Sequence, residues 1–330
     1  MIEYLARRVL YALVTLLGIT LIIFLLIHVA PGDPAIYYAS AFRGTANVSP
    51  AVMKEVRRVH HLDEPLLIQY GYWLWASSRL DFGMSISNRR PVMERVAEKL
   101  PNTLMLNGVA FLLALTVGVP LGLLTAARSS GLVDRFSGPV LLLLYSLPTY
   151  WVALMLMQLF SMKLGLLPLY GMVSEAHAQM GPVGRLSDRV LHMVLPVLTL
   201  AYGQLAVLGR FSRAAILDVI GKEFVVTARA KGLNEQRILL RHVFRNALIP
   251  LITLVGLMVP YVLSGGVIVE SVFAWDGLGR LFYDSVLSRD YPTVMALSTL
   301  GAMATLFSYL MTDLLYTLAD PRIRVGAGLA

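Results

Sequence analysis

Thr103-Leu-Met-Leu-Asn-Gly-Val-Ala-Phe-Leu-Leu-Ala-Leu-Thr-Val-Gly-Val-Pro-Leu-Gly-Leu-Leu-Thr-Ala-Ala127 contains no Asp, Glu, Lys or Arg. A bilayer hydrocarbon core of roughly 30 Å needs about 20 apolar residues in a helix, so this stretch is long enough to cross one. Five more share the property: Val9–Ala30, Ser137–Met162, Val190–Gly209, Ala247–Val269 and Tyr291–Thr312. The first is too long for a signal-peptide core, and Pro31-Gly32-Asp33-Pro34 follows it instead of a small-residue cleavage site, so it is expected to be retained. The expected fold is an all-α integral membrane bundle of six transmembrane helices. Composition agrees: 57% of the 330 residues are hydrophobic and 15% charged, against about a quarter charged in a soluble domain.

Lysine and arginine set the expected orientation. With both ends inside, the cytoplasmic segments hold 14 of the 28 Lys and Arg, and the two short outer loops hold 5. The long segment after the first helix holds the rest, but long loops cross largely regardless of charge. Both termini are therefore expected in the cytoplasm. The net charge of +8 is accounted for by basic loops facing anionic headgroups; no basic, aromatic-rich soluble module suggests nucleic acid. Residues 1–30 form the N-terminus and first helix. Residues 31–102 are expected to be a small extracytoplasmic subdomain, with helical-looking pieces at Ala51–His60 and Glu64–Ser77. Residues 103–320 form a five-helix core, and 321–330 a cytoplasmic tail.

Cysteine is absent, which removes disulfides, thiolate nucleophiles and Cys-based metal sites. No catalytic or metal-binding set is found, so the chain is not expected to be an enzyme. His28 and His192 sit near span ends on different helices without a carboxylate inside either span, and a plain packing role is favoured over a relay. Tyr11, Tyr150, Trp151, Tyr261 and Tyr291 read as interfacial belt aromatics.

The informative non-membrane stretch is the cytoplasmic loop 210–246. Within it, Glu223-Phe-Val-Val-Thr-Ala-Arg-Ala-Lys-Gly232 suits a short helix from Glu223 to Ala230, with Gly232 placed to end it. Asn234 can cap a second helix with Glu235 and Gln236 in its first turn. That helix would run through Arg237, Arg241 and Arg245 into the fifth span. Thr227, Ala228 and Ala230 leave the first helix a slim surface of the kind that lies in a partner's groove. The plainer reading is an interfacial helix–turn–helix whose arginines reach headgroup phosphates. Pro120, Pro148, Pro196 and Pro260 lie inside spans, where proline kinks helices. Gly265-Gly266, near the outer end of the fifth span, could loosen it and line a path. Pro260, Ser264, Gly265 and Gly266 are the candidate pathway or gate residues.

Thr227-Ala-Arg-Ala-Lys-Gly232 followed by Arg245-Asn-Ala-Leu-Ile-Pro250 resembles the cytoplasmic "EAA" loop of ABC importer permeases, most closely the dipeptide, oligopeptide and nickel branch. Ala30-Pro-Gly-Asp-Pro-Ala35, Leu62-Asp-Glu-Pro65, Asp81-Phe-Gly83, Glu270-Ser-Val-Phe273, Gly277-Leu-Gly-Arg280, Asp290-Tyr-Pro292 and Asp320-Pro-Arg-Ile-Arg324 continue the resemblance in order. It is nearest to the first of the two permeases, the one with a long outer segment. Val226 and Thr227 stand where the general motif has Glu and Ala. The resemblance implies a type I importer permease in a prokaryotic inner membrane. Glu223, Thr227, Ala228, Arg229, Ala230, Lys231 and Gly232 would dock on an ATPase. The implied partners are a second homologous permease, two cytoplasmic ATPase subunits, an external solute-binding protein and lipid. ATP and Mg would be bound by the ATPases alone, since this chain has no Gly-x-x-x-x-Gly-Lys-Ser/Thr loop. The implied cargo is a di- or oligopeptide. The rival, a self-contained ion-coupled carrier, would place ionisable residues inside its spans, and these six cores hold no Asp, Glu, Lys or Arg.

Overall fold

The computed structural model describes residues 2–29, 35, 49–59, 61–129 and 131–319, those of 2–5 and 314–319 by backbone only. The stretches Ala30–Pro34 and Asp320–Arg324, and the tail 321–330, lie outside the described residues. Thirteen helices are named here: α1 (Ile2–Val29), α2 (Pro50–Val59), α3 (Leu66–Ser78), α4 (Val92–Ala127), α5 (Leu132–Ser146), α6 (Thr149–Leu156), α7 (Pro182–Ile220), α8 (Glu223–Ala230), α9 (Glu235–Arg237), α10 (Arg245–Ser264), α11 (Val267–Val272), α12 (Leu278–Leu287) and α13 (Tyr291–Ala319). π-helical turns continue α6 over Met157–Lys163 and join α9 to α10 over Ile238–Phe244.

Among the described residues five helices are long and apolar enough to cross a membrane, and α5 with the α6 extension makes a sixth if the bent pair is one span. The stretch Ser137–Met162 is thus not a single rod: its two arms meet at 100°. The cause is local. Leu147 precedes Pro148, and the proline ring drives the residue before it out of the helical region; Leu147 sits at φ −78°, ψ 133°. Its carbonyl, left without a helical donor, accepts a hydrogen bond from the Tyr202 hydroxyl at 2.8 Å. By contrast, α4, α7 and α10 continue as helix through Pro120, Pro196 and Pro260.

The central pair is α4 and α7, of 36 and 39 residues, about 54 and 58 Å long at 1.5 Å per residue. Both outrun the bilayer. They approach closely because small residues face each other: a Cβ on Gly122 would lie 2.5 Å from Ser212 Cβ and 2.6 Å from the Gly209 carbonyl oxygen. Helices in lipid lack a hydrophobic drive to associate, so close contact of small-residue faces supplies the attraction. Leu106, Ala110, Ala114, Met193, Val197, Ala201 and Leu208 fill this seam, with Trp275 closing the end away from loop 210–246. α13 packs on α10, and α1 packs on α13.

The ends of the bundle away from loop 210–246 are tied by buried carboxylates. Glu270, fully buried, accepts hydrogen bonds from the Gly279 and Arg280 amides at 2.7 and 3.1 Å and from Thr103 Oγ1 at 3.1 Å. It caps the first turn of α12 from a different helix, where orphan amides and the positive dipole end favour an anion. Asp290, also fully buried, accepts from the Ile86 amide, the hydroxyls of Ser85, Ser87 and Thr293, and Arg95 at 3.0 Å. It pins the turn between Met84 and Pro91 to the start of α13.

Candidate functional site

The residues of loop 210–246 singled out above fold as one short lever. α8 spans Glu223–Ala230, as its residues predicted, and Lys222 precedes it in extended conformation. Gly232 takes φ +75°, a left-handed value that costs glycine little. The Leu233 amide returns to the Ala228 carbonyl and the Gly232 amide to that of Arg229, closing the helix end. Asn234 Oδ1 accepts from the Gln236 amide at 2.9 Å, capping α9. Arg229 bridges the turn with a two-pronged contact to Glu235 at 2.7 and 3.2 Å.

One face of α8 is rooted in the bundle. Val225 and Ala228 are buried among Ala126 of α4, Ile216 and Val219 of α7, and Ile238, Val243 and Ala247. The slim surface read from Thr227, Ala228 and Ala230 is therefore split: Ala228 is 6% exposed and turned inward, while Thr227 and Ala230 face outward. The outward face adds two residues whose apolar character the sequence reading did not use, Phe224 at 41% and Val226 at 58% exposure. Glu223, Arg229, Lys231 and Gly232 lie exposed around it. Arg237, Arg241 and Arg245 are exposed on the far side of the following turn. There the buried residues fall at Ile238, Val243 and Ala247; the wider first interval matches the π turn, whose hydrogen bonds span one residue more than an α-helix.

The second cluster is at the other end of α10. A cavity of about 530 Å³ is lined by Asn107, Tyr145, Tyr202, Gln204, Tyr261 and the Gly265-Gly266 pair, among others. Gly265 adopts φ +85°, α10 stops at Ser264 and α11 restarts at Val267. Gly265 also borders, together with Ser264, an apolar cavity of about 440 Å³; Ser264 does not line the first one. Pro260 is buried and lines neither cavity; its carbonyl accepts from Ser264 Oγ at 2.9 Å. The break thus gathers Ser264, Gly265 and Gly266 but not Pro260. Asn107, Tyr202 and Gln204 were not singled out from sequence, because neutral polar residues inside a span look like packing until a cavity is seen beside them. Tyr261, expected as a belt residue, lines this cavity while 71% exposed.

His28 and His192 have ordinary partners. His28 contacts the Phe24 carbonyl at 2.8 Å and Gln69 Oε1 at 3.2 Å. His192 contacts the Asp188 carbonyl at 2.8 Å. Among the described residues no group of three or more His, Asp or Glu side chains could hold a metal ion.

Two family models match: the binding-protein-dependent transport system inner membrane component over residues 118–325, and its N-terminal region over residues 1–107. The oligopeptide transport system permease protein AppB of Bacillus subtilis is 37% identical over 98% of this chain and 99% of its own length. The dipeptide permease DppB and the glutathione permease GsiC of Escherichia coli are each 35% identical at the same coverage. An inward-facing structure of the MetNI methionine ABC transporter superposes with a TM-score of 0.54 at 15% identity, covering 69% of this chain and 97% of that one.

Proposed function

Because the chain belongs to the family of binding-protein-dependent transport system inner membrane components and is a permease subunit of an ATP-binding-cassette importer, we propose that it couples through α8 to a cytoplasmic ATPase. The observation that carries this reading is the division of α8. One face is locked to α4, α7 and the π turn, and the other presents Phe224, Val226, Thr227 and Ala230 to solvent. A helix rooted in this way moves with the bundle when it is pushed. Ala247, at the start of α10, packs in the same cluster. Gly265, at the other end, borders the cavity, so α10 spans about 30 Å between the two sites.

In this reading a second homologous permease faces the cavity and completes the path. Two ATPase subunits bind ATP and Mg and close, and the two permeases rock between inward-open and outward-open states. A solute-binding protein delivers cargo from outside, and both termini lie in the cytoplasm of a prokaryotic cell. The proposed cargo is a di- or oligopeptide. The cavity suits one: its polar lining is amide and hydroxyl from Asn107, Thr149, Gln204 and three tyrosines, without a charged side chain. Such groups pair with peptide N–H and C=O groups of any sequence.

Liposomes containing the full complex test this directly. ATP-dependent uptake of labelled di- and oligopeptides, requiring both the ATPases and the binding protein, is expected. The purified chain alone should hydrolyse no ATP. Peptide uptake by liposomes holding this chain alone, driven by a proton or sodium gradient, would replace the importer reading with an ion-coupled carrier.

A further inference from the structure

α3, Leu66–Ser78, has no charged residue. One face, with Tyr70 and Trp73, packs on α1 through Phe24. The opposite face, Leu67, Ile68, Gly71, Tyr72 and Trp75, is exposed, with Leu67 at 76% and Trp75 at 60%. A helix apolar on all sides is one buried in protein or lipid. Charges occur only just outside it, at Asp63 and Glu64 before and Arg79 and Asp81 after.

The depth of α3 follows from its partners on α1. The Tyr70 hydroxyl meets Thr20 Oγ1 at 2.9 Å and the Leu17 carbonyl at 3.1 Å. Gln69 meets His28 at 3.2 Å. Leu17, Thr20, Phe24 and His28 all lie within the apolar run of α1. Thr20 and Leu17 lie about 14 and 18 Å along α1 from its end at Val29, so the Tyr70 hydroxyl reaches to about the middle of a core of about 30 Å. A helix in the aqueous layer could not reach those positions. The Tyr70 hydroxyl, set at that depth, takes its partners from α1 because lipid offers none.

We propose that α3 is embedded in the outer leaflet of the bilayer, its exposed face seated against phospholipid acyl chains. Two aromatics of that face have polar neighbours. His61 stacks on Tyr72 at 4.2 Å between centroids, and the Arg79 guanidinium lies 3.8 Å over the Trp75 ring. The segment between the first two spans therefore anchors in lipid as well as meeting water. The proposal rests on α1 crossing the membrane.

The absence of native cysteine makes the test clean. Single variants Leu67→Cys, Gly71→Cys and Trp75→Cys are spin-labelled in the whole complex, in phosphatidylcholine–phosphatidylglycerol liposomes. Accessibility to oxygen, which partitions into lipid, is compared with accessibility to a water-soluble nickel chelate. Leu13→Cys on the exposed face of α1 is the lipid control, and Ala176→Cys in an outer loop the water control. Gly71 has open space where a Cβ would stand, so that variant retains the fold. The three labels are expected to match Leu13 and to exceed Ala176 several-fold in oxygen-to-nickel ratio. Ratios matching Ala176 would place α3 in water, and shielding from both reagents would mean a protein subunit covers it; either overturns the proposal. A water-like ratio at Leu13 would instead remove the α1 span on which it rests.

Discussion

Val226→Asp is expected to abolish uptake and to loosen co-purification of the ATPase subunits while the permease still inserts and folds. Val226 is 58% exposed on the outward face of α8, so a carboxylate there stays hydrated in the isolated chain and changes its stability by at most about 0.5 kcal/mol. Once that face is covered by another subunit, the same carboxylate is buried without a partner, at a cost of about 3–5 kcal/mol. Three of those kilocalories correspond to roughly a hundredfold in affinity. Ala228→Trp is not an equivalent probe: Ala228 is packed against Val225, Ile216 and Val243, and an indole there would pry α8 off its root. Arg241→Gln, on the exposed arginine row, is the mild control. Normal co-purification and uptake by Val226→Asp, with failure of Arg241→Gln, would assign the loop to the membrane surface instead.

Glu270→Ala is expected to cost on the order of 3–5 kcal/mol and to unlatch the end of the bundle away from loop 210–246. Its carboxylate accepts from two backbone amides of α12 and from Thr103, and removing it leaves those donors buried with nothing to bond. Thr103 Oγ1 itself accepts from the Leu278 amide at 2.7 Å, so the loss spreads from α11 to α4. Gly277→Val should act at the same place by collision. A Cβ on Gly277 would run into the Glu270 carboxylate and Thr103 Oγ1. Trp275 is fully buried beside this clasp, its amide bonded to the Glu270 carbonyl at 2.8 Å. With Trp73, Trp75 and Trp151 replaced by Phe, its fluorescence during thermal unfolding in detergent reports the effect. Midpoints unchanged in both variants would show that the clasp carries no stability.

Much of this was legible in advance because lipid imposes a simple constraint: long apolar runs free of charge. α1, α4, α7, α10 and α13 satisfy it as continuous helices. The third span did not read as broken, because the turn at Leu147-Pro148 keeps the same apolar composition on both sides; only the geometry before a proline separates the arms. α8, its glycine stop and the Asn234 cap were readable from local chemistry, since helix termini have residue preferences that act without tertiary contacts. Which face of α8 points inward was not, because Val225 and Ala228 are buried by the end of α7, the π turn, the start of α10 and, from about a hundred residues away, Ala126 of α4. Glu270 and Asp290 stood out only as parts of a family resemblance. Each is an acid outside the apolar cores, and its burial arises from a fold that brings Thr103 to one and Ser85 with Arg95 to the other. The paired glycines Gly277 and Gly279 beside an acid were the available hint.

Coupling through the outward face of α8 is tested most directly by cysteine protection. Single-cysteine variants at Val225, Val226, Ala228 and Ala230 are reacted with a water-soluble maleimide, in the isolated permease and in the complex with its ATPases. Cysteines at 226 and 230 should react quickly in the isolated chain and become protected in the complex. Those at 225 and 228 should stay unreactive in both. Equal reactivity at 226 and 230 with and without the ATPases would contradict the assignment of this face as the docking surface.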